Sequence, residues 1–197
     1  RASWKKGISC TVKKVKNKIR KIAIVAKAET SAAKRIVRQA VKLAEAAGLH
    51  PITDENTATL AKLNIPIRKN PLAISRLADL IMVFGGDGTM LHWARSTAGS
   101  GTPIFGVNIG GLGFLTAVSW KDLSKAMNAV AAGKFSIESR TLLSATGQTC
   151  QGQFKLKAMN DFVISRGSVP RMIRLEVTVD GEGLTTYRCD GLVISTS

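Results

Sequence analysis

The sequence has 197 residues, 45% of them hydrophobic, enough to bury a core, which excludes a chain that is disordered by default. Its uninterrupted apolar runs, such as Leu80 to Phe84, are far shorter than the roughly 20 residues a helix needs to cross a bilayer, so no membrane span is expected. With 29 Lys and Arg against 13 Asp and Glu, the formal net charge of +16 favours an anionic partner.

In chain order, the first feature is a basic run: Arg1 to Lys21 holds nine basic residues and no acidic one. Residues 1–20 are expected to be a solvated basic extension acting on association rather than on the fold. The run lacks the apolar core of a secretory signal, and an acid-poor, Arg- and Lys-rich start also suits the remains of an organelle address. From Lys21 to Ala26 the segment KIAIVA predicts a buried strand, and Ser31 offers an N-cap for a helix that ends near Gly48. Ile36, Ala40, Leu43, Ala44 and Ala47 recur at helical spacing, with Lys34, Arg35, Arg38 and Lys42 on other faces, so one side of this helix packs on a sheet. Leu80 to Phe84 predicts a parallel strand covered on both faces that runs directly into Gly85-Gly86-Asp87-Gly88-Thr89. A helix from about Met90 to Ala98, a strand from Pro103 to Val107, and an amphipathic helix from Ser119 through Leu123, Met127 and Val130 to Gly133 follow. Residues 21–137 therefore read as an open α/β domain.

After about Ile137 the pattern changes. Ile173, Leu175, Val177 and Val179 alternate with Arg174, Glu176 and Thr178, the period of a strand with one buried face. Asp180-Gly181-Glu182-Gly183 reads as a hairpin turn, with Leu184 to Thr196 returning as one strand. Strands in succession without helices between them make residues 138–197 an antiparallel β domain.

The chemistry concentrates at the glycine-rich loop. Gly85, Gly86 and Gly88 surround Asp87 at the carboxyl end of a predicted strand, where open α/β sheets place their ligands, and glycine lets backbone amides approach phosphate oxygens. An acidic residue there suits a carboxylate that orients or deprotonates an attacking hydroxyl. A glycine-rich turn with Asp87 capping the next helix accounts for the pentapeptide equally well. The dinucleotide fingerprint fails, because it requires glycine at Leu91 or at Thr116, and no Gly-Lys-Ser or Gly-Lys-Thr marks a P-loop. Gly110, Gly111 and Gly113 signal a second tight loop. Cys10, Cys150 and Cys189 are odd in number and lack metal-ligand spacing, which suits unpaired thiols in a reducing compartment, the cytoplasm. With only His50 and His92 as histidines, no protein-built zinc site is expected.

The GGDGT loop resembles that of a superfamily containing NAD kinases, diacylglycerol and sphingolipid kinases and, more distantly, phosphofructokinases. Three further blocks separate them: GVNIGGLGFLT from Gly106 to Thr116, MNDFVISRG from Met159 to Gly167, and YRCDGLVIST from Tyr187 to Thr196. All three resemble NAD kinase blocks in NAD kinase order, and the resemblance extends from Lys21 to Ser197. It implies an α/β domain followed by a β-sandwich, a homo-oligomer, and transfer of a phosphoryl group from ATP, or in some relatives polyphosphate, to the adenosine 2′-hydroxyl of NAD, with Mg²⁺ or another divalent cation. Asp87 would accept the proton of that hydroxyl, with Gly88 lining the same site. The resemblance extends nucleotide contacts to Gly85, Gly86 and Thr89 of the loop, to His92 one turn further on, and to Arg171, Arg188 and Asp190. Asn160 and Asp161 match the family's Asn-Glu pair, which hydrogen-bonds the dinucleotide, although this chain has Asp for Glu. The family continues beyond DGLVIST with a Thr- and Gly-containing segment ending in Tyr, so the resemblance implies that the sequence is C-terminally incomplete and by itself not a competent enzyme. A lipid kinase of the same superfamily is the alternative. A nucleic-acid-binding module driven by the basic charge would want aromatics interleaved with the cations, and Arg1 to Lys21 has only Trp4.

Overall fold

Segments that are apolar at every position become central strands here because helices cover both faces of the sheet they form. The computed structural model describes residues 2–5, 12–14, 19–27, 31–111, 113–168 and 170–196; Cys10 and much of the basic run lie outside them. In chain order the elements are strands Ala2–Lys5 (β1), Val12–Lys14 (β2) and Lys21–Ala26 (β3), helix Ser31–Ala46 (α1), strand His50–Asp54 (β4), helix Glu55–Ala61 (α2), strand Ile67–Arg68 (β5) and helix Pro71–Leu77 (α3). Then come strand Leu80–Gly85 (β6), helix Asp87–Ser96 (α4), and strands Ile104–Asn108 (β7) and Val118–Ser119 (β8). A 3-10 turn at Trp120–Asp122 leads into helix Leu123–Ala131 (α5), followed by strand Ser136–Glu138 (β9). The remaining elements are all strands: Leu143–Thr149 (β10), Gly152–Ala158 (β11), Asp161–Ser165 (β12), Ile173–Val179 (β13), Glu182–Cys189 (β14) and Gly191–Ser195 (β15).

The chain divides into two units, Ser9–Arg140 and Arg1–Ile8 with Thr141–Ser197. In the first, six parallel strands lie in the order β5-β4-β3-β6-β7-β8. The chain runs outward from β3 in one direction and from β6 in the other, so the order reverses between those two central strands. Alternate residues of β3 and β6 serve the two faces: Ile22, Ile24, Leu80, Met82 and Phe84 pack with α1 and α5, while Ala23, Val25, Ile81 and Val83 pack with α3 and α4. All six residues of β6 are buried. Each fully buried Ile, Leu, Val, Met or Phe contributes about 1.5–3 kcal/mol, so this sheet is the unit's principal source of stability. No helix among the described residues is long and apolar enough to cross a membrane.

The second unit is antiparallel. β10 pairs with β1 and β11, β12 with β15, and β13 with β14. Ala2–Lys5 and Val12–Lys14 thus take part in ladders with β10 and β9, so the basic run contributes strand backbone and is not wholly a solvated extension.

Several boundaries differ from the expectation. Helix α1 starts at Ser31 itself, and α4 starts at Asp87 rather than near Met90. Gly86 is extended and its carbonyl accepts from the amides of Thr89 and Met90 (3.0 and 3.2 Å), which winds the helix three residues earlier than apolar spacing suggests. The hairpin turn is only Asp180-Gly181, both with positive φ (51° and 91°), as a two-residue turn between twisted strands requires. Leu184 to Thr196 is broken at Asp190, because β14 pairs with β13 whereas β15 pairs with β12.

Candidate active site

Asp87 stands at the carboxyl end of β6, beside the point where the strand order reverses, the position at which open α/β sheets bind ligands. It is the first residue of α4, with Gly86 as the cap residue, and its carboxylate does not cap that helix. It reaches instead to the loop after β7: Phe114 N–H donates to Oδ2 (2.9 Å) and Leu115 N–H to Oδ1 (3.0 Å). Hydrogen bonds to a charged group contribute about 1.5–3 kcal/mol each, and a carboxylate at a helix N-terminus gains about 0.3–1 kcal/mol from the helix dipole. Both oxygens are oriented by the backbone, yet a carboxylate has about four acceptor directions, so one on each oxygen remains for a substrate hydroxyl. Asp87 is half-buried.

Two glycines make this arrangement possible. A Cβ on Gly113 would run into the Asp87 carboxylate, and one on Gly85 would come within 2.5 Å of the Thr89 hydroxyl, which is itself buried against the strand end. Gly86 and Gly88 are exposed and meet nothing within 4 Å at their Cβ positions, leaving their backbone open to a ligand. Thr89, expected as a nucleotide contact, therefore lies inside the fold, whereas Gly86, Asp87 and Gly88 form the accessible rim. His92 is exposed on α4, edge-on to buried Trp93 at a ring separation of 6.5 Å.

The remaining expected residues lie in the antiparallel unit, where β12 and β15 bring the two last sequence blocks into one ladder. At one end, Thr196 N–H and Oγ donate to the carbonyl of Asn160 (2.8 and 3.3 Å), and Oγ also to that of Met159 (3.1 Å); Asp161 pairs with Ser195. At the other end, Asp190 Oδ1 accepts from Arg166 Nε (2.9 Å) and the Asp190 carbonyl accepts from Arg166 N–H (3.0 Å). Asn160 and Asp190 lie just beyond opposite ends of a five-residue ladder, about 20 Å apart at the usual strand rise, so one small ligand group does not touch both. Arg188 sits opposite Arg174 across the β13–β14 ladder, and Arg171 and Arg188 are exposed.

Sequence reasoning missed the Phe114 and Leu115 amides, the Arg166 partner of Asp190, and Asn108, a buried amide at the end of β7. Asn closing an apolar strand two residues before a glycine pair was the available signal for Asn108, since Asn hydrogen-bonds nearby backbone in turns. The amides leave no trace in side-chain identity. Among the described residues, no group of three or more His, Cys, Asp or Glu side chains is placed to hold a metal ion.

Residues 22–135 match the family model described as the ATP-NAD kinase N-terminal domain. The chain is 35% identical over 182 residues to an NAD kinase of Geotalea daltonii, covering 90% of this chain and 62% of that protein. It is 46% identical over 121 residues to one of Desulforamulus reducens, covering 59% of this chain and 41% of that protein. At 62% coverage or less, the chain spans under two thirds of the length of these curated relatives. Yeast NADH kinase complexed with NADH superposes with a TM-score of 0.80 at 22% identity, covering 91% of this chain and 58% of that one. An Archaeoglobus fulgidus NAD kinase in complex with ATP gives 0.53 at 23% identity, covering 89% and 60%.

Proposed function

Because the chain belongs to the NAD kinase family, we propose that it serves phosphoryl transfer from ATP to the adenosine 2′-hydroxyl of NAD, giving NADP and ADP. The observation that carries this reading is the Asp87 carboxylate, held by two backbone amides at the carboxyl end of the central strand and open on its remaining acceptor directions. The 2′-oxygen attacks the terminal phosphorus as its proton passes to Asp87. The new P–O bond forms as the bond to the ADP bridging oxygen breaks, so no covalent enzyme intermediate is needed. The exposed backbone of Gly86 and Gly88 approaches phosphate oxygens, and the positive charge of the chain draws both anionic substrates.

Mg²⁺ or another divalent cation, supplied with the donor, would neutralise charge on the transferring phosphoryl group beside the Asp87 carboxylate. The ATP complex of the Archaeoglobus fulgidus relative supports ATP as donor, with polyphosphate the second candidate. We assign dinucleotide contacts to His92, Asn160, Asp161, Arg171, Arg188 and Asp190. The free thiols Cys150 and Cys189 suit the cytoplasm, and the exposed Val163 and Val193 suit a homo-oligomer, to be checked by light scattering. The deciding experiment supplies NAD, diacylglycerol and sphingosine in turn, with radiolabelled ATP and Mg²⁺, to a version of the chain extended to the length of its relatives. Label is expected in NADP; label in lipid with none in NADP would overturn the reading.

A further inference from the structure

The loop that orients Asp87 is itself closed by a side chain to which family resemblance gives no role. Strands β7 and β8 are parallel neighbours, pairing Val107 with Val118 and Asn108 with Ser119, yet only residues 109–117 connect them. Parallel neighbours ordinarily need a crossover of about a dozen residues or more, so this connection must double back tightly. Asn108 sits in its mouth at 7% exposure. Its Nδ2 donates to the Gly111 carbonyl (2.6 Å) and to Thr116 Oγ1 (3.2 Å), and its Oδ1 accepts from Gly110 N–H (2.8 Å). The pattern fixes which way the amide faces, since a flipped amide would oppose oxygen to the Gly111 carbonyl and NH₂ to the Gly110 N–H. One planar group therefore joins the outgoing limb, at Gly110 and Gly111, to the returning limb at Thr116. Thr116 directly follows the two amides that hold Asp87.

We propose that Asn108 is a positioning residue for phosphoryl transfer: by tying the two limbs of the loop together it keeps the Phe114 and Leu115 amides on the Asp87 carboxylate. The proposal rests on the NAD kinase reading for its kinetic consequence, and on the hydrogen bonds alone for its structural one. Without the tie, the loop is free to spread and the carboxylate to turn away from the hydroxyl it must meet. Substrate binding, which uses other groups, is left largely intact.

The test, made in the same extended version, compares Asn108→Ala with the unsubstituted protein by amide hydrogen exchange and by steady-state NADP formation. Exchange at Phe114 and Leu115 is expected to rise at least about tenfold while β3 and β6 stay protected. The kcat is expected to fall by on the order of 10- to 100-fold with KM for NAD little changed, the scale on which misplaced catalytic groups act. In an Asp87→Asn background the same substitution should cost no further turnover, because its effect passes through Asp87. A general loss of packing would instead lower turnover in both backgrounds and raise exchange throughout. Should Asn108→Ala not fold, Thr116→Val removes the returning-limb acceptor and Thr116→Ser restores it, with the same exchange and kinetic changes expected for Val and absent for Ser. Unchanged exchange at Phe114 and Leu115, or an undiminished kcat loss in the Asp87→Asn background, overturns the proposal. If the unsubstituted protein forms no NADP, the functional reading fails separately, and the exchange result alone decides whether Asn108 holds the loop.

Discussion

In Ser9–Arg140, β6 is buried at every position and Ile22, Ile24, Ile81, Met82 and Phe84 are fully inaccessible. In the antiparallel unit, β13 alternates between half-buried and exposed residues, and Leu156, Val163, Leu184 and Val193 are all more than half exposed. The two regions therefore hold themselves together differently. The parallel sheet depends on side chains packed from two sides and leaves its strand ends free to present backbone to a ligand. The antiparallel strands depend on ladder hydrogen bonds and on polar ties at strand ends, such as Thr196 to Asn160 and Arg166 to Asp190. Asp87, the carboxylate proposed as catalytic, stands on the first kind of scaffold.

The largest effect expected from this contrast is on stability. Phe84→Ala removes a ring buried between β6 and the helices above it and should destabilise Ser9–Arg140 by about 3–5 kcal/mol, the usual range for a core Phe. Val193→Ala, at 60% exposure, should change stability by about 0.5 kcal/mol or less. Denaturant unfolding of both variants checks the pair, and comparable losses would mean that the antiparallel unit has a core as demanding as the other. Next comes catalysis: in a version extended to the length of the relatives, Asp87→Asn should retain the fold by circular dichroism and lose at least about 10²-fold in turnover, close to 2.7 kcal/mol in barrier height. Near-normal NADP formation by that variant would reduce Asp87 to a tie between α4 and the loop after β7. A smaller effect tests a polar device inside the packed unit. Thr57 Oγ1 accepts from the buried Ala26 N–H (2.8 Å), so Thr57→Val strands a backbone donor and should destabilise by about 1–3 kcal/mol, read from the same denaturation curves. Stability equal to that of the parent would place a water in that role.

How legible these regions were in the sequence follows the same division. KIAIVA and Leu80 to Phe84 announced β3 and β6 because a strand covered on both faces is apolar throughout, and α1 showed itself through sixteen residues of helical period. Between Leu49 and Asp79 the elements went unread. Helices α2 and α3 have seven residues each and β5 has two, too short for any period to emerge. Their start signals were nonetheless present in Asp54, which caps α2, and in Asn70-Pro71, which opens α3. The break at Asp190 had a signal in the turn dipeptide Asp190-Gly191, and what the sequence does not encode there is the change of partner strand from β13 to β12. At the site, glycine punctuation located Asp87, but its hydrogen-bond partners lie 27 and 28 residues away and are backbone groups, which side-chain identity does not encode.

The smallest expected effect lies at the polar tie between Arg166 and Asp190. The side chains are 36% and 80% exposed, and exposed ion pairs contribute about 0–1 kcal/mol because water and salt screen them. Asp190→Asn keeps an oxygen for Arg166 Nε and leaves the backbone bond from Arg166 N–H to the Asp190 carbonyl untouched, so only the charge term is lost. Stability should therefore fall by less than about 1 kcal/mol at low salt and by less again near 0.1 M, where the Debye length is about 10 Å. A loss above about 2 kcal/mol that ignores salt would break the comparison drawn above, because the antiparallel unit would then owe its order to one specific contact. The same variant also sharpens the assignment of Asp190 to the dinucleotide. With stability nearly unchanged, a raised KM for NAD would place its carboxylate on the ligand, whereas unchanged kinetics would leave it as the anchor that sets Arg166 and turns the chain from β14 into β15.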